Sequence, residues 1–269
     1  MRVNEREWPW QDGLTLAALQ ATAKPDADVV VLNGFPVDPE RRVDTVLQQR
    51  DEIVFIRKGE APAPDELAAL MAARHTPGIA AVLRAARVGI AGAGGLGSNV
   101  AHALARIGVG HLVIADFDVV EPSNLNRQAY RIDQIGLRKA TALADDLARI
   151  NPNVTVVAHT VRLVPGNIPE LFAGCAVVAE CFDRPEEKQM LVETVLSHMP
   201  EARVVAASGL AGTGDGNCIR VRRVSARLWL VGDGESAATF GRGLMAPRVF
   251  IAAGQQANTV VRILLDEVT

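Results

Sequence analysis

The sequence predicts an α/β protein built on a mainly parallel β-sheet, preceded by a smaller lobe. Short apolar strands alternate with amphipathic helices between residues 88 and 207, and this alternation is typical of a parallel sheet with helices on both faces. A glycine-rich turn follows the first of these strands. With 269 residues, of which 49% are apolar, the chain is long enough to bury a sizeable core.

The first 60 residues predict an α+β lobe. Thr15 or Asp12 is placed to cap a helix that buries Leu16 and Leu19. Asn33-Gly34 is a strong signal for a tight hairpin turn. The order of strand, helix, hairpin and strand is that of a β-grasp, the ubiquitin-like fold. The predicted strands are residues 2–8, 29–32, 35–37 and 53–56.

Residues 61–86 predict a linker followed by helices, because Ala61-Pro62-Ala63-Pro64 is a stiff connector. We therefore divide the chain into a lobe of residues 1–60, the linker segment 61–86 and a main domain of residues 87–269. Helices are expected at residues 65–73, 79–87, 98–107, 138–150, 185–198 and 246–265. Strands are expected at residues 88–91, 111–115, 154–157, 176–180 and 203–207, with an antiparallel pair at 219–224 and 227–231.

The glycine turn is the first functional signal. Gly92, Gly94 and Gly97 fit the pattern G-x-G-x-x-G, and they lie between a predicted strand and a predicted helix. Glycines allow a tight turn and a close approach of backbone to ligand, and the helix then directs its N-terminus at a phosphate. The pattern predicts a nucleotide-binding turn. A nicotinamide dehydrogenase of the Rossmann type would carry the same pattern.

The segment after the second strand favours ATP chemistry. Asp116 follows that strand at the position where a carboxylate accepts hydrogen bonds from ribose hydroxyls. The sequence D-F-D-V-V-E-P-S-N-L-N-R-Q ends with Arg127 and Gln128, and Lys139 follows in G-L-R-K-A. Cations screen negative charge as a phosphate is attacked, whereas hydride transfer has little need of them.

These motifs resemble the ThiF/MoeB family of sulfur-carrier-protein adenylyltransferases, which are relatives of the ubiquitin-activating enzymes, over about residues 72–265. The resemblance implies that ATP and magnesium are used to adenylate the C-terminal glycine of a small β-grasp carrier, plausibly the ThiS carrier of thiamine synthesis. A carboxylate nucleophile is already ionised at neutral pH, so no general base is expected.

The resemblance also implies roles for individual residues. Asp183, in C-F-D-R, is expected to hold magnesium, and Arg74 is expected to reach the active site of a partner in a homodimer, with Arg84 and Arg87 as competitors. The implied catalytic residues are Arg127, Lys139, Asp183 and Arg74. The implied nucleotide-binding residues are Gly92, Gly94, Gly95, Gly97, Asp116, Asp118, Asn124, Arg127, Gln128 and Lys139.

The chain departs from the family pattern in three ways. Many relatives carry two C-x-x-C pairs for zinc, and this chain has three single cysteines instead, so no zinc is expected. Secondly, some relatives use a cysteine in a mobile loop to form a bond with the carrier or to pass on sulfur, and here only Cys218 lies near a predicted loop, whereas Cys175 and Cys181 flank an apolar strand. Thirdly, the N-terminal lobe resembles the ThiS carrier, including V-L-N-G-F-P-V, but it continues through Arg57-Lys58-Gly59-Glu60 into the linker. We therefore expect a docking or regulatory lobe, and as substrate a separate carrier ending in Gly-Gly.

Composition bears on the location and partners of the protein. The net charge is −3, and residues 1–60 account for it with eight Lys/Arg and eleven Asp/Glu. Nucleic acid and anionic membranes are therefore not expected as partners. The first residues are polar and no apolar run approaches the length of a membrane helix. A cytoplasmic protein is expected.

Several alternatives stay open at this point. The protein can be a non-catalytic scaffold, or an enzyme that adenylates a molybdopterin carrier, a peptide or a tRNA. Asp183 can simply cap the helix at residues 185–198, and Cys218 is more often structural than reactive in such a position. Arg220, Arg222 and Arg223 can form a solvated edge or a surface for an acidic carrier.

Overall fold

The computed structural model describes residues 1–73, 75–76 and 78–267, and it contains two compact units, Met1–His75 and Thr76–Thr269. The predicted fold class is confirmed for both units: the first carries a five-stranded sheet and the second a seven-stranded, mainly parallel sheet. The division falls inside the segment 61–86 that the sequence assigns to the linker and its helices.

The first unit is a β-grasp. Its sheet has the order β2-β1-β5-β3-β4, with β1 and β5 parallel at the centre and the other neighbours antiparallel. Leu16 and Leu19 of the first helix are fully buried against the sheet, together with Val30, Ile53 and Phe55. The elements are β1 Arg2–Val3, β2 Arg6–Glu7, α1 Leu16–Ala23, β3 Val29–Leu32, β4 Phe35–Pro36, β5 Glu52–Ile56 and α2 Pro64–Ala72.

Two local predictions in this unit are confirmed and one is wrong. Thr15 caps α1 by accepting a hydrogen bond from the backbone N–H of Ala18, and Asn33-Gly34 forms the hairpin turn with positive φ at both residues. Residues 2–8, however, are not one strand. Asn4 and Glu5 adopt positive φ and turn the chain back, because Asn tolerates this conformation and β1 has a parallel partner in β5.

The second unit has the sheet order β11-β12-β10-β9-β6-β7-β8. All neighbours are parallel except β11 and β12, which form the predicted antiparallel pair. The elements are α3 Ile79–Ala85, β6 Arg87–Ala91, α4 Gly95–Arg106, β7 His111–Ala115, α5 Lys139–Ile150, β8 Thr155–His159, α6 Ile168–Leu171, β9 Val177–Glu180, α7 Pro185–His198, β10 Arg203–Ala207, β11 Arg220–Ser225, β12 Leu228–Gly232 and α8 Ala246–Leu264.

Helices cover both faces of this sheet, as predicted. On one face α4, α5 and α8 pack against the strands, and Leu96, Val100 and Leu104 of α4 are buried there. On the other face α6 and α7 bury Phe172, Leu191 and their neighbours. Burial of each such apolar side chain stabilises the folded protein by roughly 1.5–3 kcal/mol. The two layers fix the carboxyl ends of β6, β7, β9 and β10 side by side.

The outer strand β11 is exposed along its whole length. Arg223 stacks over the ring of Trp229 on the neighbouring strand. Its Cζ lies 5.4 Å from the ring centroid, a distance typical of a cation–π contact. Arg220 and Arg222 carry no hydrogen bond from their side chains among the described residues. Arg220, Arg222 and Arg223 therefore form an exposed basic surface on β11. This exposure fits both a solvated edge and a surface for an acidic carrier.

Within the described part of the chain, none of the helices combines the length and the apolar character that crossing a membrane would demand.

Candidate active site

The glycine turn connects β6 to α4 at the carboxyl edge of the sheet. Gly92 adopts φ +93°, and a Cβ there would lie 3.1 Å from the carbonyl oxygen of Cys181. Helix α4 begins at Gly95, three residues earlier than the sequence predicts, so the motif itself supplies the first helical turn. No side chain caps this turn. Its first N–H groups are therefore available to a ligand in the cavity that Gly94 and Gly95 line.

A polar cavity of about 170 Å³ lies in front of this turn. It brings together residues from several separate segments of the second unit, and most of the residues that the sequence singles out are among them. The predicted residues that line it are Gly92, Gly94, Gly95, Asp116, Asp118, Arg127, Gln128, Lys139 and Asp183.

Asp116 holds the turn in place from the end of β7. Its Oδ2 accepts a hydrogen bond from the N–H of Ala93 at 2.6 Å, and its Oδ1 accepts one from the N–H of Asp118 at 2.7 Å. Burial raises the pKa of this carboxyl, and the two backbone hydrogen bonds and the charge of Lys139 oppose that rise. Asp116 is thus a structural anchor of the nucleotide turn, with further lone pairs on each oxygen.

Lys139 stands at the start of α5 and is buried. Its Nζ lies 3.1 Å from Oδ2 of Asp118, whose side chain is half exposed. The ammonium group has three N–H donors, so this ion pair leaves donors for a second partner. The placement of a buried cation on the wall of the cavity is what binding of a phosphate requires.

Arg127 and Gln128 close the cavity from the segment after β7. Arg127 donates from Nη1 to the carbonyl oxygen of Ser123 at 3.2 Å and to Oδ1 of Asn126 at 2.8 Å. Its Nε is buried and has no hydrogen-bond partner among the described residues, and the same holds for Oε1 of the buried Gln128. A buried polar atom without a partner is costly unless a ligand or water meets it. These two atoms therefore mark a place where a polar ligand fits.

Two of the predicted residues that the structure describes do not line the cavity. Asn124 is buried, and its Oδ1 accepts from the N–H of Glu121, so it closes the turn that presents Arg127. Gly97 lies in the first turn of α4, where a Cβ would come within 1.8 Å of the carbonyl oxygen of Gly92. Both act on the shape of the site. Arg74 lies outside the described residues.

Asp183 lies in the loop between β9 and α7, at the carboxyl end of a central strand. Its side chain is exposed and has no hydrogen-bond partner among the described residues. The N-cap of α7 is Arg184, and no side chain caps the helix there. The alternative role of Asp183 as a helix cap therefore has no support in the geometry, and its carboxylate is available to a ligand.

A second cavity, of about 350 Å³, adjoins the first. The two share Gly95, Cys181, Phe182, Asp183 and Leu244 as walls. The second is lined mainly by small and apolar residues from the loops that follow β10 and β12, among them Ala207, Ser208, Gly209, Gly234, Ala237 and Ala238. Asp183 thus stands on the boundary between a polar and a mainly apolar chamber.

An ion pair that the sequence did not reveal lies close to Asp183 in the chain. Glu180 ends β9 and is fully buried, and Lys188 of α7 donates to its Oε1 and Oε2, each at 3.0 Å. The N–H groups of Phe182 and Ala207 donate to the same carboxylate at 2.7 and 3.3 Å. All four contacts place donors against Glu180, as an ionised carboxylate requires. An acidic residue ending the apolar run A-V-V-A-E was the available signal.

A second contact that the sequence did not reveal borders the polar cavity. Arg162 donates from Nη2 to Oε1 of Glu187 at 2.7 Å, and its Cζ lies 5.3 Å from the ring centroid of Phe117. Phe117, Arg162 and Glu187 all line the polar cavity. They link the segment after β7, the loop after β8 and the first turns of α7 into one wall.

The cysteines divide into buried and exposed positions. Burial raises the pKa of the Cys175 thiol to about 11, and burial also raises the pKa of the Cys181 thiol. Both side chains are therefore thiols at neutral pH and poor nucleophiles. Cys218 is exposed, at the end of the short turn Gly216–Cys218.

Asp233 anchors the loop after β12, whose following residues, Gly234 to Ala238, line the second cavity. Burial would raise the pKa of its carboxyl, but hydrogen bonds from the hydroxyl and N–H of Ser236 and from the N–H of Glu235, together with the charge of Arg248, lower that pKa to about 2. Arg248 of α8 donates from Nη2 to Oδ2 of Asp233 at 2.7 Å and from Nη1 to the carbonyl oxygen of Asp215 at 3.0 Å. The loops around the cavity are therefore joined to α8.

Acid is expected to weaken this anchor. The folded-state pKa of about 2 lies below the ordinary value of 3.8, so ionised Asp233 stabilises the folded protein above about pH 4, and this contribution is lost as the pH falls from about 4 to 2. Asp233→Asn is expected to lower the free energy of unfolding at pH 7 and to flatten its dependence on pH in that window. Urea denaturation at pH 7, 4 and 2.5 measures both effects. Asp44→Asn, at an exposed site, is the control, and parallel wild-type and Asp233→Asn profiles would contradict the assignment.

Comparison with known proteins decides the family. Residues 69–269 match the ThiF family, and residues 1–59 match the ThiS-like ubiquitin domain. The chain belongs to the ThiF family. Its N-terminal unit is accordingly a ThiS-like ubiquitin domain, as the sequence motifs indicate.

Named relatives of this ThiF-family chain are adenylyltransferases. It is 33% identical over 195 residues to adenylyltransferase and sulfurtransferase UBA4 of Yarrowia lipolytica. The aligned region covers 68% of this chain and 46% of that relative. It is 32% identical over 190 residues to molybdopterin-synthase adenylyltransferase of Salmonella typhimurium, over 68% of this chain and 74% of that protein. The match with this chain thus spans a little less than half the length of the UBA4 relative.

Solved structures agree on the fold. The E. coli tRNA N6-threonylcarbamoyladenosine dehydratase TcdA in complex with ATP aligns with a TM-score of 0.66 and 21% identity, over 73% of this chain and 93% of that one. E. coli MccB with ATP aligns with a TM-score of 0.54 and 20% identity, over 71% of this chain and 59% of that one. At this level of identity, the likeness concerns the fold alone.

Proposed function

We propose that the second unit adenylates the C-terminal carboxylate of a separate ubiquitin-like sulfur carrier, with ATP as the donor and pyrophosphate as the product. The observation that carries this proposal is the pair of adjoining cavities with Asp183 on their common wall. The polar chamber suits a nucleotide. The second chamber, lined by alanines, glycines and serine, suits the extended, small-residue tail of an acceptor.

In the proposed reaction the carboxylate oxygen of the acceptor attacks the α-phosphorus of ATP. A bond forms between that oxygen and phosphorus as the bond to the bridging oxygen breaks, and pyrophosphate leaves with the electron pair. The acceptor is already an anion, so no base has to remove a proton. The residues of the chain position the two reactants and stabilise charge that moves onto the leaving group.

Lys139 and Arg127 are the cations we assign to the phosphates. Lys139 has donors beyond its contact with Asp118, and the buried Nε of Arg127 meets no hydrogen-bond partner in the described part of the chain. The open first turn of α4, at Gly94 and Gly95, adds backbone N–H groups on the same side. We assign the ribose to Asp116, whose oxygens retain lone pairs beyond their two backbone contacts.

We assign Asp183 to the magnesium ion that the resemblance implies. Mg²⁺ in nucleotide sites is bound by one or two carboxylates together with phosphate oxygens and water, and Asp183 presents one exposed carboxylate to both chambers. When bound, the ion would neutralise charge on the phosphates. The loop between β9 and α7 holds the Asp183 carboxylate at the boundary between the two cavities that we assign to the reactants.

The fused ThiS-like unit is proposed to be a docking or regulatory lobe. After β5 the chain continues through Gly59 and Glu60 to α2 and offers no C-terminal carboxylate at that point. The acceptor is therefore a separate carrier ending in Gly-Gly. We further propose that the chain acts as a homodimer in which Arg74 completes the partner's site.

The names of the relatives do not single out thiamine synthesis. Molybdopterin-synthase adenylyltransferase and the UBA4 proteins point to other sulfur carriers, so we propose the carrier class and leave its pathway to the assay. Carriers of the thiamine and molybdopterin types are to be compared side by side as acceptors.

The test is ATP–pyrophosphate exchange with and without such a carrier. We expect exchange that requires the carrier and disappears when its final glycine is deleted. Exchange by the chain alone would show that it carries its own acceptor. ATP binding without exchange for any carrier would favour the non-catalytic scaffold, and binding of NAD in place of ATP would favour a dehydrogenase.

A further inference from the structure

We propose that Lys188, held in place by the buried Glu180, binds the carboxylate of the acceptor in the second cavity. The proposal rests on the function proposed above, because it assumes that a carboxylate enters this chamber. It adds a residue, outside the nucleotide cavity, whose role is to hold the attacking group.

The charge distribution in the second cavity points to this role. Among the described residues that line it, Lys188 is the only one with a positively charged side chain, whereas Asp183 and Glu235 are acidic. An entering carboxylate meets these two anions and the phosphates of the neighbouring chamber. A cation on the wall offsets that repulsion and gives the acceptor a fixed position.

The geometry leaves Lys188 able to bind a ligand. Its Nζ directs two N–H donors to the two oxygens of Glu180 at 3.0 Å, and an ammonium group has three. The described residues supply no partner for the third donor. The side chain is 23% exposed whereas Glu180 is 0% exposed, so the pair is open only on the lysine side.

Glu180 explains why a flexible lysine is suited to this task. Its carboxylate also accepts hydrogen bonds from the N–H groups of Phe182, just after β9, and Ala207, at the end of β10. Lysine normally loses considerable rotamer freedom on binding a ligand. The two bonds to a rigid carboxylate restrict Nζ before the acceptor arrives. Glu180 is therefore a positioning residue, and Lys188 is the binding residue.

The variants must avoid leaving a charge buried without a partner. Lys188→Met alone would strand the Glu180 carboxylate and endanger folding. We therefore compare Glu180→Gln, which keeps the lysine, with the double variant Glu180→Gln/Lys188→Met, which lacks both charges. Lys24→Met is the matched control: Lys24 forms an ion pair with Glu60 at 3.2 Å in the other unit, and its side chain is 21% exposed.

The experiment is a binding cycle that requires no turnover. Dissociation constants are measured without ATP for a Gly-Gly carrier with a free C-terminal carboxylate and for the same carrier with a C-terminal amide. We expect amidation to weaken binding by about tenfold or more in the wild type and Lys24→Met, and by a smaller factor in Glu180→Gln, where an amide replaces the carboxylate that restricts Nζ of Lys188. In the double variant the two forms should bind within about threefold of each other. ATP affinity should be unchanged in all variants, because Lys188 does not line the polar cavity.

The outcomes separate this proposal from the function on which it rests. If amidation costs the double variant as much as it costs the wild type, the carrier binds but Lys188 does not hold its carboxylate. If the wild type binds neither form of any carrier, the proposed function is wrong and the assignment of Lys188 falls with it. Melting temperatures of all variants confirm that the compared proteins are folded.

Discussion

Asp183→Ala is expected to lower carrier-dependent ATP–pyrophosphate exchange by at least about 10³-fold, the scale on which a key electrostatic group acts in a transition state. The carboxylate stands on the wall between the two chambers and makes no hydrogen bond with the described residues. Its removal therefore takes away the carboxylate that we propose as the magnesium ligand, without removing a hydrogen bond that supports the fold. Exchange assays and thermal melts on the same preparation measure the two effects.

The control for this prediction is a neighbouring carboxylate. Glu186 is exposed in the first turn of α7 and lines neither cavity, so Glu186→Ala should leave exchange close to the wild-type rate. Unchanged exchange in Asp183→Ala would overturn the magnesium assignment. A parallel loss of melting temperature and activity would instead show that Asp183 supports the loop between β9 and α7.

Gly97→Ala is expected to destabilise the second unit by about 3 kcal/mol or more, the upper range for a group forced into a close-packed interior. A Cβ at this position would lie 1.8 Å from the carbonyl oxygen of Gly92 and 3.3 Å from Cβ of Cys181. Relief of that overlap requires α4 to move away from the turn that follows β6. Urea denaturation gives the change in the free energy of unfolding, and ATP titration should show loss of binding.

The same substitution elsewhere provides the comparison. Gly254 is exposed within α8, and a Cβ there would meet no atom within 4 Å. Gly254→Ala should therefore stabilise the protein by roughly 0.5–1 kcal/mol, because alanine loses less backbone freedom in a helix. If Gly97→Ala retains wild-type stability and ATP binding, the contact between α4 and the glycine turn is looser than the structure indicates.

Features that depend on local chemistry were predictable from the sequence. The hairpin at Asn33-Gly34 follows from the tolerance of these two residues for positive φ, and the cap at Thr15 follows from its hydroxyl beside free N–H groups. The helix Pro185–His198 begins at a proline and has the predicted bounds. The prediction of a single strand over residues 2–8 was wrong because Asn4 turns the chain. No periodicity in so short a segment reveals that turn.

The candidate site was predictable where a motif carries the chemistry. Gly92, Asp116, Arg127, Lys139 and Asp183 were singled out from spacing and resemblance, and the fold brings all of them to one cavity. The motif did not reveal the difference between a residue that faces the ligand and one that shapes the wall. Asn124 and Gly97 belong to the same motifs, yet Asn124 closes a turn and Gly97 allows a close contact between helix α4 and the glycine turn.

By itself the sequence determined the fold class, the two-part organisation and the nucleotide turn, because each depends on residues close together in the chain. Only the tertiary structure decided that Glu180, Lys188 and Ala207 meet, and that a second cavity adjoins the first. Those features arise where the carboxyl ends of β9 and β10 lie beside α7. The physical reason is that strand order in a parallel sheet brings together residues distant in sequence, and a buried carboxylate is stable only when that arrangement supplies its donors.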